Sequence, residues 1–185
     1  MPSSSGFAPL PSGFEPNPTD VFAAVRSDLN EAADMSELCF AGAGEPLLRL
    51  RTLEECANLL GQEFPELKLR VNTNGLLPDS EAADVANRLL RCGVRAASVA
   101  LVTADPEQYM SMMQPDPLRL SPAFSLPLGH KEVCGFVTAA IDAGLAVECS
   151  AVENPEVDVA AAKSLAVSLG ATFRSRTWHP GDLGQ

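Results

Sequence analysis

Four short segments of this 185-residue sequence carry the residue types that small-molecule chemistry needs. Gly42-Ala43-Gly44-Glu45-Pro46 sets two glycines, which let a ligand approach the backbone closely, beside a carboxylate able to accept hydrogen bonds from an ammonium group. Asn72-Thr73-Asn74-Gly75 offers two amides on one face of an extended segment and a hydroxyl on the other. Glu148 and Ser150 share a face inside an apolar run, and a carboxylate there needs a partner, a ligand or water. Arg174 and Arg176 also share a face and could meet Glu148 or an anionic ligand group. Each segment has a plainer reading: a glycine-rich connection, an Asn-Gly chain reversal, an edge strand with a wet face, and two surface arginines.

Other chemistries find less support. No Gly-Lys-Ser/Thr follows the first glycines, so they are not a phosphate-cradling loop, and the dinucleotide pattern fails because Leu47 stands where its third glycine would be. His130 and His179 read as loop histidines without a cysteine or carboxylate at ligand spacing, and no nucleophile elbow is present. Five cysteines, at 39, 56, 92, 134 and 149, lie no closer than 15 residues apart and form no zinc-ligand spacing. They read as buried thiols of a reducing compartment, with no metal bound. Thirteen Lys and Arg against 24 Asp and Glu leave a net charge of −11, which argues against a nucleic-acid or anionic-membrane partner. The most apolar stretch, Val133 to Val152, is interrupted by Asp142, Gly144 and Glu148, so no membrane span is expected. The N-terminus has no basic region followed by an apolar one, which makes a cytoplasmic location the expectation.

These segments are positioned by alternating helices and strands. Residues 1–18, with five prolines and four serines, read as an irregular arm. Helices are expected over Thr19–Asp34, Thr52–Phe64 (opened by the Thr52-Leu53-Glu54-Glu55 capping box), Ser80–Cys92 with Ser80 as cap, Asp105–Met113, Lys131–Ala143 and Pro155–Leu169. Strands are expected over Glu37–Ala41, Leu67–Thr73, Ala96–Val102, Leu145–Val152 and Ala171–Thr177, with a Pro-rich loop over Gln114–Gly129 and a tail over 179–185. Such alternation implies a parallel sheet, either an open doubly wound sheet or a partial (β/α) barrel, and both place ligands beyond the C-terminal strand ends.

The run ELCFAGAGEPLLRL, then LRVNTNGL, then ASVALVTADPEQYMSMMQP, then NPEVDVAAAKSLAVSLGATFRSR resembles the radical S-adenosylmethionine (radical SAM) superfamily, and within it the TatD-associated branch. The resemblance covers about Thr19 to Trp178. It implies an α/β fold of the partial parallel (β/α) barrel type, with about five βα units and the first family strand missing. In that family S-adenosylmethionine (SAM) chelates the open iron of a 4Fe-4S cluster and is cleaved to a radical. By the resemblance, Gly42, Ala43, Gly44 and Glu45 would receive the methionine ammonium group. Asn72, Asn74, Glu148 and Ser150 would line the rest of the SAM pocket, with Arg174 and Arg176 near the substrate. The family holds its cluster with C-x-x-x-C-x-x-C, a spacing this sequence does not contain, and two family positions that are usually polar correspond to Ala100 and Val102.

Three functions follow as expectations: a truncated radical SAM domain inactive as this chain, a cluster-free SAM-binding or protein-interaction module, or an unrelated parallel α/β enzyme for a small amine. A domain without its first strand would expose a parallel sheet edge, open to self-association or a partner chain.

Overall fold

The architecture is a five-stranded parallel sheet, read from a computed structural model that describes residues 16–31, 35–42, 44–113 and 128–177. Ala43, most of the N-terminal arm, the greater part of the Pro-rich loop, Trp178, His179 and the tail lie outside the described residues. In chain order the elements are α1 (Pro18–Glu31), β1 (Glu37–Phe40), α2 (Leu50–Glu63), β2 (Lys68–Thr73), α3 (Asp79–Arg91), β3 (Val94–Ala100), α4 (Pro106–Met113), α5 (His130–Ala143), β4 (Ala146–Val152), α6 (Val159–Ser168) and β5 (Thr172–Arg176). The strands lie side by side in chain order, β1-β2-β3-β4-β5. A doubly wound sheet reverses its strand order at a switch point, and this one does not, so the barrel-type winding is the one adopted. Among the described residues β1 and β5 each have one unpaired edge.

Strand alternation divides the sheet into an apolar face and a polar one. Leu69, Val71, Val99, Val147 and Cys149 are buried in the core. The helical layer supplies the other half through residues three or four apart: Leu50, Leu53, Ala57 and Leu60 of α2, Ala82, Val85, Ala86 and Leu89 of α3, and Val133, Phe136, Val137 and Ala140 of α5. Leu60 and Leu89 are fully buried, and truncating either to Ala would cost about 2–5 kcal/mol. The opposite face carries Glu37, Arg70, Asn72, Ser98, Glu148, Ser150 and Arg174.

Several boundaries differ from the sequence expectation for identifiable reasons. α2 does not start at Thr52; it continues from a 3-10 turn over Pro46–Arg49 whose cap is Glu45, so the entry signal is Glu45-Pro46. Ser80 is not a cap either, because α3 begins at Asp79 directly after Pro78. α6 begins at Val159, where the Asp158 carboxylate accepts from the Ala161 amide at 2.9 Å. His130 is not in a loop: it is the first residue of α5 and is buried, with Cys134 one turn on. The thiols are not uniformly buried, since Cys39 is exposed and Cys134 is half-buried, while Cys56, Cys92 and Cys149 are in the interior. No helix among the described residues is long and apolar enough to cross a membrane.

Candidate functional site

Beyond the C-terminal strand ends the polar face opens into a cavity of about 540 Å³. Ala41, Gly42, Gly44, Glu45 and Leu48 line it from the β1 end, Asn72, Thr73 and Asn74 from β2, Ser98 and Ala100 from β3, Ser150 from β4, and Arg174 and Arg176 from β5. The structure thus brings together Gly42, Gly44, Glu45, Asn72, Asn74, Ser150, Arg174 and Arg176, which lie more than a hundred residues apart in sequence. A Cβ at Gly44 would meet nothing within 4 Å, and one at Gly42 only the Gly44 amide at 3.8 Å. A ligand can therefore approach the backbone closely at Gly42 and Gly44.

Glu45 is tied down. Its Oε1 accepts from the Leu47 amide at 3.0 Å and the Thr73 hydroxyl at 2.6 Å, and its Oε2 accepts from the Asn74 amide at 2.8 Å. One carboxylate therefore caps the 3-10 turn and straps the β1 exit to the β2 exit. Thr73, on the core-facing side of β2 and buried, in turn accepts from the Gly75 amide at 3.0 Å. Gly75 has φ +69°, and a Cβ there would stand 3.1 Å from Val99 Cγ1 and 3.3 Å from Phe136 Cδ1. Asn74 lines the cavity, and no turn or bend is formed over 74–78, so the Asn-Gly pair is not the chain reversal its type suggests. Asn74 Oδ1 accepts from the Leu76 amide at 2.9 Å, so it is the Asn74 amide group that remains to donate.

Glu148 lies one tier lower and does not line the cavity. It is half-buried, and its Oε1 accepts from Arg174 Nε at 2.9 Å. Toward β1 and one tier further down, level with Ala96 and Ala146, Arg70 donates from Nε and Nη2 to the two oxygens of Glu37 at 3.0 and 3.4 Å and from Nη1 to Ser98 Oγ at 3.0 Å. Below the cavity the polar face is thus a row of alternating charges in which each buried or half-buried polar group has a partner. Arg176, one tier above Arg174, has no ion pair or hydrogen-bonded side-chain partner among the described residues.

At the end of β3, Ala100 lines the cavity and Val102 holds φ 67°. A β-branched residue in the left-handed region stores about 1–2 kcal/mol of strain. The turn it makes, fixed by its amide donating to the Ser150 carbonyl at 3.1 Å, returns Leu101 and Thr103 to the interior. The latter carbonyl meets His130 Nε2 at 2.9 Å, and Cys134 Sγ lies 3.9 Å from His130 Nδ1. Tyr109 packs edge-on against the His130 ring, with its hydroxyl buried and unpartnered among the described residues, and burial pushes its pKa up to about 12. The sequence reading missed this cluster, although His130 and Cys134 stand four apart. It also missed the Glu45 strap, for which the only local signal was a carboxylate directly before a proline.

The thiols do not fit an iron–sulfur cluster. Cys39 is on β1, Cys56 on α2, Cys92 at the end of α3, Cys134 on α5 and Cys149 on β4, and no group of three His, Cys, Asp or Glu able to hold a metal exists among the described residues. Burial raises all five thiols, Cys149 to about 12, whereas cluster iron needs thiolates at close spacing.

No protein-family model matches the sequence. The FeMo cofactor biosynthesis protein NifB of Klebsiella pneumoniae is 33% identical over 91 residues, which are 49% of this chain and 18% of that protein. The radical S-adenosylmethionine methyltransferase TsrM from Kitasatospora setae has a similar fold. Its structure with tryptophan substrate and the SAM analogue aza-SAM aligns at TM-score 0.55 and 16% identity, over 88% of this chain and 30% of that one. The TsrM structure with cobalamin and a 4Fe-4S cluster gives 0.52 and 15%, over 84% and 28%. The chain therefore spans less than a third of each of these proteins.

Proposed function

We propose that the chain is a radical SAM-like domain whose cavity binds S-adenosylmethionine without catalysing radical chemistry as this chain alone. The observation that carries the reading is the convergence of Gly42, Gly44, Glu45, Asn72, Asn74 and Ser150 on one opening at the strand ends. A methionine ammonium group needs acceptors, and Gly42 and Gly44, with no side chains and open space where a Cβ would stand, let it approach the backbone closely. Three protein donors already occupy the Glu45 carboxylate, so its part is to hold that turn at the right height above β2 and to add negative potential beside the ammonium. Asn72, the Asn74 amide and Ser150 supply neutral donors and acceptors across the middle of the opening, where they can orient polar groups of the ligand. Glu148 acts through Arg174, and Arg174 and Arg176 face the substrate. SAM bound to a 4Fe-4S cluster supplies a radical in this family; the cysteines here do not fit that cluster, and no radical step is assigned to these residues.

The likeness to the TatD-associated branch, a cytoplasmic location and pairing of the β1 or β5 edge with another chain belong to the same proposal. Calorimetric titration with SAM tests it. We expect saturable heat that Glu45→Ala weakens, and absence of heat in the wild-type chain removes the reading. Anaerobic incubation with iron, sulfide and a reductant should yield no brown chromophore and no 5′-deoxyadenosine; their appearance would overturn the assignment of a non-catalytic chain.

A further inference from the structure

The cavity is electrically lopsided. Among its lining residues the one acid is Glu45, at the β1 end, and the two cations are Arg174 and Arg176, at the β5 end. Between them stand neutral amides and hydroxyls. In a chain of net charge −11, two arginines turned to one opening are a local inversion of the overall field.

The two ends are far apart. β1 and β5 are separated by four interstrand steps of about 4.8 Å, or roughly 19 Å along the sheet. The ammonium nitrogen and carboxylate of one α-amino acid sit on the same carbon, within about 3–4 Å of each other. Curvature shortens the path across the sheet but leaves it several-fold larger than that span. One amino-acid headgroup cannot engage the Gly42–Glu45 turn and the arginines together.

We infer that the β5 end of the cavity receives an oxyanion, a carboxylate or a phosphate, belonging to a second molecule that binds beside the one at the glycine turn. The inference rests on the reading of the turn as the SAM end of the cavity, and it adds the charge class of the substrate. The two arginines divide the work. Arg174 is held by Glu148 at 2.9 Å, so its guanidinium is fixed in position and its charge is largely offset. Arg176, one tier nearer the mouth and exposed, keeps its full charge and its donors. Such a fork suits a planar or tetrahedral oxyanion better than a diffuse apolar ligand. Its register on β5, opposite Val152, directs it to the same face as Ser150, which stands opposite Arg174 and lines the same cavity.

The test uses the full chain labelled with nitrogen-15, with the arginine Nε–H resonances followed by NMR. Sodium succinate and inorganic phosphate are titrated separately at constant ionic strength. We expect saturable movement of the Arg174 and Arg176 signals with at least one of the two, and the one that saturates identifies the oxyanion. Arg176→Gln should weaken that binding about tenfold or more, the effect of one charge-assisted bond. Lys163→Gln, which removes an exposed positive charge from α6, should bind like the wild type. Shifts that grow linearly without saturation, or titrations unchanged in Arg176→Gln, overturn the inference. SAM titration of the same samples separates the two readings. Oxyanion saturation without SAM binding would keep the oxyanion site at the β5 end and remove both the SAM proposal and the pairing of two ligands. SAM binding without oxyanion saturation would keep the SAM proposal and overturn the oxyanion site.

Discussion

Removal of the Glu45 carboxylate is the perturbation that reaches furthest into the site. Its oxygens accept from Leu47 N, Thr73 Oγ1 and Asn74 N, and Ala at this position leaves all three donors without that acceptor. A hydrogen bond to a charged group contributes about 1.5–3 kcal/mol. Three such bonds do not add in full, because they share one carboxylate and the site is only half-buried, so water can reach the freed amides. The expected loss for Glu45→Ala is about 2–4 kcal/mol, and for Glu45→Gln, which keeps one acceptor oxygen, about 1–2 kcal/mol. Thr73→Val removes one donor to Glu45 and also the acceptor for the Gly75 amide, at about 1–3 kcal/mol. The double variant should then lose less than the two singles together, by a coupling of about 1–2 kcal/mol. Urea unfolding followed by circular dichroism reads these values, and a loss of this size moves the midpoint by roughly 1 M. Glu45→Ala with wild-type stability, or losses for the pair that simply add, would refute the strap.

Three further outcomes follow from other parts of the molecule. Gly75→Ala should cost about 2–4 kcal/mol in the same assay, combining a left-handed backbone with a Cβ pressed on Val99 and Phe136. The Arg88 guanidinium donates to Glu54 at 2.8 and 2.7 Å and holds that carboxyl below its ordinary value of 4.5. The stability this contributes is complete above pH 4.5 and is lost as pH falls through the lower folded value. Arg88→Gln should therefore flatten the acid limb of a stability-versus-pH curve by less than about 1 kcal/mol, since the pair is partly exposed. In thiol labelling of the native protein at pH 8, Cys39 should react first. Cys149, buried and raised to about 12, should react only after denaturation; rapid labelling of Cys149 would contradict its placement in the core.

The sequence showed most of what periodicity controls. Apolar residues three and four apart in 50–63 and 79–91, and alternation in 68–73, marked elements whose existence depends on burying one face. The same alternation placed Asn72 with Asn74 and Glu148 with Ser150 before any coordinates. Helix starts were less legible, because they are decided by which backbone amide finds an acceptor. Thr52 and Ser80 have capping side chains but stand inside helices whose ends were set by Glu45-Pro46 and Pro78. Local pattern could not show that Glu45 and Thr73, 28 residues apart, would meet at 2.6 Å. Nor could it put Glu148 below the cavity while Ser150, two residues on, lines it. That difference follows from the register of β4 against β5, a relation between strands that neither strand encodes alone.

The chain-order sheet also has a consequence for how the molecule is made. Each strand pairs with the one synthesised just before it, so no segment must wait for a distant partner to leave the ribosome. A nascent chain can grow one helix-and-strand unit at a time, each new unit docking on a template already in place. Errors of assembly should then concentrate at the growing edge, where the newest strand is the least protected.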